Sequence, residues 1–372
     1  MMEIIRNLKN NAINIPGWHT RRKIVVIESD DWGAIRMSSK AVYDKLLKAG
    51  YSVDNRPYEK YDSLASEQDI SMLFEVLTRF RDKNGNHPVI TANSLVVNPD
   101  FEKIKDSGYE EYHYELFTET LKRYSNHANS FDLWKEGMNY GVFFPQFHGR
   151  EHINVNSWMK ALQRRDKDVM LAFEYGLPGI FPRDNAQAGN QFVVALKFAD
   201  AAEFENIKTI LKDGLQLFSK IHGYRSASFI APCNTWHPDY AETLKENGIN
   251  IIQGSSVQLV PSLDKISKRY HYVGQKNEWN QYFLIRNCSF EPTEKHNVDN
   301  IDGCLHSIDT AFRWRKPAII SSHRLNYIGS IFPENRDRNL KRLEVLLTRI
   351  IAKWPDVEFM TSAQLGDLLI KN

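Results

Sequence analysis

Three apolar runs in this chain pass directly into acids or imidazoles, and those junctions are where it can do chemistry. The first is Ile24-Val25-Val26-Ile27-Glu28-Ser29-Asp30-Asp31-Trp32-Gly33. Adjacent residues of an extended strand point to opposite sides, so Asp30 and Asp31 are expected to hold different roles. The second is Phe143-Phe144-Pro145-Gln146-Phe147-His148-Gly149-Arg150-Glu151-His152. His148 and His152 are the only histidines in the chain spaced four apart. If the chain turns helical there, they share one face. Neutral imidazoles at that spacing bind Zn²⁺ at about 2.0–2.1 Å and leave room for a carboxylate and a water. The third is Ala318-Ile319-Ile320-Ser321-Ser322-His323. A fourth run, Ser228-Phe229-Ile230-Ala231-Pro232-Cys233-Asn234-Thr235-Trp236, ends in a proline and an aromatic that can wall a pocket.

Each junction has a plainer reading. Asp30 and Asp31 can open a loop and cap a helix, with Ser38 and Ser39 capping the next one. A lone histidine such as His323 is more often a hydrogen-bonded structural residue. Thr235 or Asp239 can cap the helix through Asn247, with Trp236 in the core. Three such junctions at the same kind of position weigh toward a shared site, because α/β folds place their chemistry at the carboxyl ends of strands.

The elements that must position these residues read as alternating strands and helices. Short apolar runs predict strands at Ile24–Ile27, Pro88–Thr91, Val142–Phe147, Ser226–Ala231, Asn250–Gln253, Tyr282–Arg286, Ala318–Ser321 and Val357–Met360. Periodicity predicts helices at Glu67–Arg81, Tyr114–Tyr124, Ser157–Arg164, Ala201–Ile221, Asp239–Asn247, Asp302–Arg313 and Asn335–Lys353. That alternation implies βαβ units around a mainly parallel sheet, with barrel-like closure. No repeat, linker or low-complexity tract marks a boundary, so an N-terminal extension over 1–22 and one α/β domain over 23–372 are expected. Leu177–Asn190 reads as a long irregular loop, and Lys265–Glu278 as an inserted hairpin over one mouth of the sheet.

Composition narrows the class. Lys+Arg 48 against Asp+Glu 46 leaves almost no net charge, which gives no footing for a nucleic-acid partner. No window approaches the roughly 18 apolar residues of a membrane span. The N-terminus lacks the apolar core of about 7–15 residues that a secretory signal carries. Cys233, Cys288 and Cys304 are too few and too scattered for a disulfide framework. Both points lead to the expectation of a cytoplasmic protein. Aromatics at 12% suit carbohydrate stacking and equally suit a filled core.

The order of these motifs resembles the NodB-homology polysaccharide deacetylases of carbohydrate esterase family four. The family's Thr-Phe-Asp-Asp-Gly motif is similar to Glu28-Ser29-Asp30-Asp31-Trp32, and its His-Ser/Thr-x-x-His motif to His148-Gly149-Arg150-Glu151-His152. Its arginine-proline motif falls at Ile230-Ala231-Pro232, and its late histidine motif at His323. The resemblance spans roughly Lys23 to Leu369, although only the motifs carry it. It implies a distorted (β/α)₇ barrel, a carbohydrate substrate and one divalent metal, usually zinc. Asp31, His148 and His152 would then be the metal ligands, Asp30 the general base and His323 the general acid. His and carboxylate ligands accept other divalent ions as well.

The chain departs from that pattern at several points. Gly149 replaces the hydroxyl residue that braces the histidine loop, no Asp-x-x-Asp-Trp motif is present, and no arginine precedes Pro232. Arg286, Arg150 or Arg324 are substitutes for that arginine, and Asp299 or Asp302 are candidates to orient His323. The leading expectation is a metal-dependent hydrolase removing acetyl groups from N- or O-acetylated sugars. A glycoside hydrolase using two of Glu28, Asp30 and Glu174, or a carbohydrate-binding protein without catalysis, are the alternatives.

Overall fold

The computed structural model describes residue 8 and residues 11–182, 191–294 and 300–371. Its frame is a curled parallel sheet of β1 (Lys23–Trp32), β2 (Ile90–Leu95), β3 (Phe143–Gly149), β4 (Ser228–Ile230), β5 (Ile251–Gly254), β6 (Tyr282–Ile285), β7 (Cys288–Ser289), β8 (Ala318–His323) and β9 (Val357–Met360). β2, β3, β4, β5 and β6 follow one another from one edge of β1, and β8 then β7 lie on the other. The outermost strands, β6 and β7, are separated only by Arg286 and Asn287. The Arg286 N–H donates to the Gly254 carbonyl (2.9 Å) and the Asn287 N–H to the Ile319 carbonyl (3.1 Å). One bent segment thus pairs with β5 at its start and β8 at its end, and joins the two edges of the sheet. The result is the expected distorted (β/α)₇ barrel, with the broken stave as its distortion. β9 lies outside the ring and pairs only with Lys23–Val26 of β1.

The strands read as near-continuous apolar runs because both of their faces are covered. Alternation along β1 divides the core. Val25 and Ile27 pack with Ile70, Leu73, Leu77, Leu343 and Leu347 from helices Glu67–Thr78 and Pro333–Lys353. Ile24 and Val26 pack with Ile319, Ile251, Leu365 and Leu369, where the terminal helix Ser362–Lys371 closes one end of the barrel. Glu28 and Asp30 continue this second, inward row.

All eight expected strands are present, within a few residues at their ends, but one helix expectation needs correction. Tyr114–Leu116 is a strand antiparallel to Val97–Pro99, and only Phe117–Lys122 is helical. The Phe117 N–H donates to the Val96 carbonyl (3.0 Å), so tertiary pairing overrides the helical periodicity of that segment. The expected insertion is a hairpin of Val257–Pro261 and Ile266–Tyr270, which begins earlier than Lys265. Residues 183–190 of the expected irregular loop, and Asp299, lie outside the described residues. Among the described residues no helix is long and apolar enough to cross a membrane.

Candidate metal centre

β1 delivers both carboxylates, but not by simple alternation. Asp31 has φ +73°, and the register with β2 shifts between Ser29 and Trp32. The expectation that Asp30 and Asp31 point to opposite faces is therefore overturned, since the bulge turns Asp31 back and both acids line one cavity of about 970 Å³. A residue other than glycine in this region costs of order 1–3 kcal/mol. Buried Trp32 holds the bulge through its Nε1–H, which donates to Ser29 Oγ (2.9 Å). Neither acid caps a helix; Ser39 caps Lys40–Lys48 by accepting from the Val42 N–H.

β3 delivers the histidines. His148 is in the strand, Gly149 has φ +123°, and His152 follows in a bend, so the expected shared helical face is replaced by a reversal after the strand. His148 Nε2 lies 3.5 Å and His152 Nε2 3.4 Å from Asp31 Oδ1. One donor atom from each of Asp31, His148 and His152 falls within 4.8 Å of the others, and no other such group occurs among the described residues. His148 Nδ1 sits 3.0 Å from the Ile230 carbonyl. The carbonyl can only accept, so Nδ1 carries the proton and the Nε2 lone pair faces the cluster. Burial, followed by the Arg36 charge, pushes His152 down to about 3, against the opposing pull of Asp31. Burial pushes the Asp31 carboxyl up, but His148, His152 and Arg36 together hold it well below the usual range. Two inward-facing imidazole nitrogens and an ionised carboxylate fit a divalent metal with open positions.

Two further groups flank this cluster. Asp30 and His323 are register partners on adjacent strands, with His323 Nε2 3.7 Å from Asp30 Oδ2. Arg286 clamps Asp30 with both terminal nitrogens, at 2.7 and 2.6 Å, and donates its Nε–H to Glu28 at 2.7 Å. Glu28 also accepts from Ser362 Oγ, and Asn93 donates to Asp30 Oδ1 (2.7 Å). Burial opposes ionisation of Asp30, but Arg286, by charge and hydrogen bonding, with His148 and His323, holds it far below the usual carboxylate range. His323 Nδ1 is paired with Glu291 (2.7 Å), which accepts in turn from Asn326 Nδ2 (2.6 Å). Burial disfavours the His323 imidazolium, but the charge and hydrogen bond of Glu291, then Asp30 and Asp31, push it up to about 10.

The substitutes anticipated from sequence separate cleanly. Arg286, in the link between β6 and β7, is the candidate that reaches Asp30. Arg150 pairs with Glu151 and Asp213, and Arg324 is buried against Asp62. Asp302 pairs with Arg349 at the surface and does not orient His323. Glu291 does so instead, and sequence reading missed it because the two-residue strand before it is too short to register. Arg286 ends an apolar run, the same signal that marked the other residues. Glu174 is exposed on the helix Lys167–Glu174, and Glu28 is sealed beneath Arg286, so neither forms a carboxylate pair with Asp30 across the cavity.

No protein-family model matches the chain, and no curated protein sequence matches it. Similar solved structures include a protein of Parabacteroides distasonis described as a glycoside hydrolase/deacetylase, at 12% identity and TM-score 0.47, over 95% of this chain and 72% of that one. A protein of Pseudomonas aeruginosa described as a polysaccharide deacetylase aligns at 9% identity and TM-score 0.41, over 93% and 91%. The 4-α-glucanotransferase of Thermococcus litoralis aligns at 8% identity and TM-score 0.44, over 92% of this chain; the chain spans only 40% of that protein's length. At these identities and scores the reading of the site rests on its own residues.

Proposed function

We propose that the protein is a metal-dependent hydrolase that removes acetyl groups from N-acetylated, or O-acetylated, sugars. One observation carries the reading: the Asp31, His148 and His152 cluster shares a single cavity with an arginine-clamped carboxylate and a glutamate-paired histidine that lie side by side. A divalent ion, zinc being the first choice, held by those three residues would supply an electrophile that activates water near neutral pH and polarises an acyl oxygen.

The chain's own residues supply the rest. Asp30, kept ionised and fixed by Arg286, accepts the proton of the attacking water. Its depressed pKa makes it a weak base, so the clamp favours orientation and charge over basicity. His323, protonated through neutral pH, donates from Nε2 to the leaving nitrogen as the carbon–nitrogen bond breaks. Acetate and a free amine result. Arg286 and Glu291 are positioning residues, since each acts through the group it holds. General acid and base contributions of about 10²–10⁴-fold each are expected.

Acetate release from N-acetylglucosamine oligomers, measured alongside reducing-end release, tests the reaction class. Acetate without new reducing ends is the expected result. New reducing ends without acetate would assign a glycoside hydrolase instead.

A further inference from the structure

Arg36 stands in the cavity wall beside the metal centre, and the steps above do not use it. Only 13% of its side chain is exposed. Its Nη2 lies 3.9 Å from Asp31 Oδ1 and its Nε 3.7 Å from Asp62 Oδ2, both beyond hydrogen-bond reach. Nε is a buried donor with no partner among the described residues. The neighbouring acids are committed elsewhere: Arg324 binds Asp62 at 3.0–3.1 Å, and Asp31 faces the two imidazoles. A guanidinium has five donors and cannot shed its charge. Nε is sealed from the cavity, but the two terminal nitrogens are not, and they make no hydrogen bond among the described residues, so they are the donors a ligand in the cavity can meet.

The surroundings select the ligand. Asp30, Asp31 and Glu59 line the cavity against Arg36, Arg56 and Arg286, and His323 is matched by Glu291, so a dication on the cluster would leave the cavity positive. Guanidinium forks match planar carboxylates in bidentate fashion. Asp31 and Asp62 on two sides of the Arg36 fork disfavour a doubly charged phosphate. Nη2 lies close enough to a metal ligand that a single sugar ring can span from Arg36 to the scissile acetyl group.

We propose that Arg36 binds a carboxylate of the substrate, so that the site takes an acetylated acidic sugar whose carboxylate sits on the ring that bears the acetyl group. This rests on the deacetylase reading for the reaction but not for the binding. Metal-loaded protein is compared on N-acetylglucosamine, its 6-uronate and its 6-phosphate, measuring dissociation constants and acetate release for each. The uronate is expected to bind at least tenfold more tightly than either of the others. Arg36→Gln is expected to bring the uronate-to-neutral ratio close to one, with Arg36→Lys between. No uronate preference in the wild type, or the same ratio in wild type and Arg36→Gln, overturns the inference. If Arg36→Gln does not fold, the wild-type comparison alone decides. An Arg36-dependent uronate preference without acetate release removes the deacetylase reading and leaves this site standing. Equal acetate release from all three sugars does the reverse.

Discussion

Replacing Glu291 with Gln isolates the charge that keeps His323 protonated. Gln preserves the size and the oxygen that accepts from Asn326, but removes the largest influence raising His323 from its ordinary 6.5 to about 10. The sign is fixed by the role: the acid form of a raised histidine persists below its folded pKa, and activity falls as pH rises through it. At pH 8 a group titrating near 10 is about 99% protonated, and one returned to about 6.5 is about 3% protonated. A full return to 6.5 would cost roughly 30-fold in kcat/KM at pH 8, and with Asp30 and Asp31 still raising the group the variant's loss should be smaller than that. At pH 5.5 it is still about 90% protonated, so the loss there should be small. A dication on Asp31, His148 and His152 lowers the value in both proteins, so the separation of the two basic limbs is the quantity to read. The assay is the pH profile of acetate release on metal-loaded wild type and Glu291→Gln. A uniform loss at every pH, with the basic limb unmoved, would refute the assignment of His323 as general acid.

Arg286→Ala should move the acidic limb instead: without the clamp, burial raises Asp30, and activity should be lost at a higher pH as the medium is acidified; an unmoved limb on acid titration would exclude Asp30 as the base. Gly149→Ala adds a Cβ that meets nothing closer than 3.6 Å, so its cost is the φ of +123°, about 1–3 kcal/mol, with weaker metal binding as the histidines shift; calorimetry with zinc reads both effects. Arg324→Met strips fully buried Asp62 of its hydrogen-bonded partner and leaves only the Arg36 charge at 3.7 Å, and urea unfolding should show a loss approaching about 3–5 kcal/mol. Arg324→Met combined with Asp62→Leu should recover much of that loss.

The barrel was legible because its staves are apolar runs of β length, separated by helical periods of the right size. Ala318–His323 and Val357–Met360 illustrate it: neither run is long enough for a helix, and each gives way to polar residues, Arg324 in one case and Thr361 and Ser362 in the other. The strand-end rule also located Asp30, Asp31, His148 and His323. What sequence could not show was conformation against the rule. Asp31 joins Asp30 in one cavity only through a left-handed backbone, and alternation predicts the opposite. His152 reaches Asp31 through the bend at Gly149 rather than through a helical turn. The clamp on Asp30 comes from Arg286, 256 residues away in sequence, at the break in the closing stave, where barrel geometry and not motif order decides the neighbours. Glu291 follows a strand of two residues, below the length at which any period can be read.

The central claim is that Asp31, His148 and His152 hold one divalent ion on which acetate release depends. Metal-stripped protein titrated with zinc, with bound metal and acetate release followed together, tests it most directly. One equivalent per chain, activity rising with occupancy, and loss of both in Asp31→Asn and His148→Ala are the expected results. Full activity in the metal-stripped protein, or undiminished zinc binding in both variants, would contradict the account.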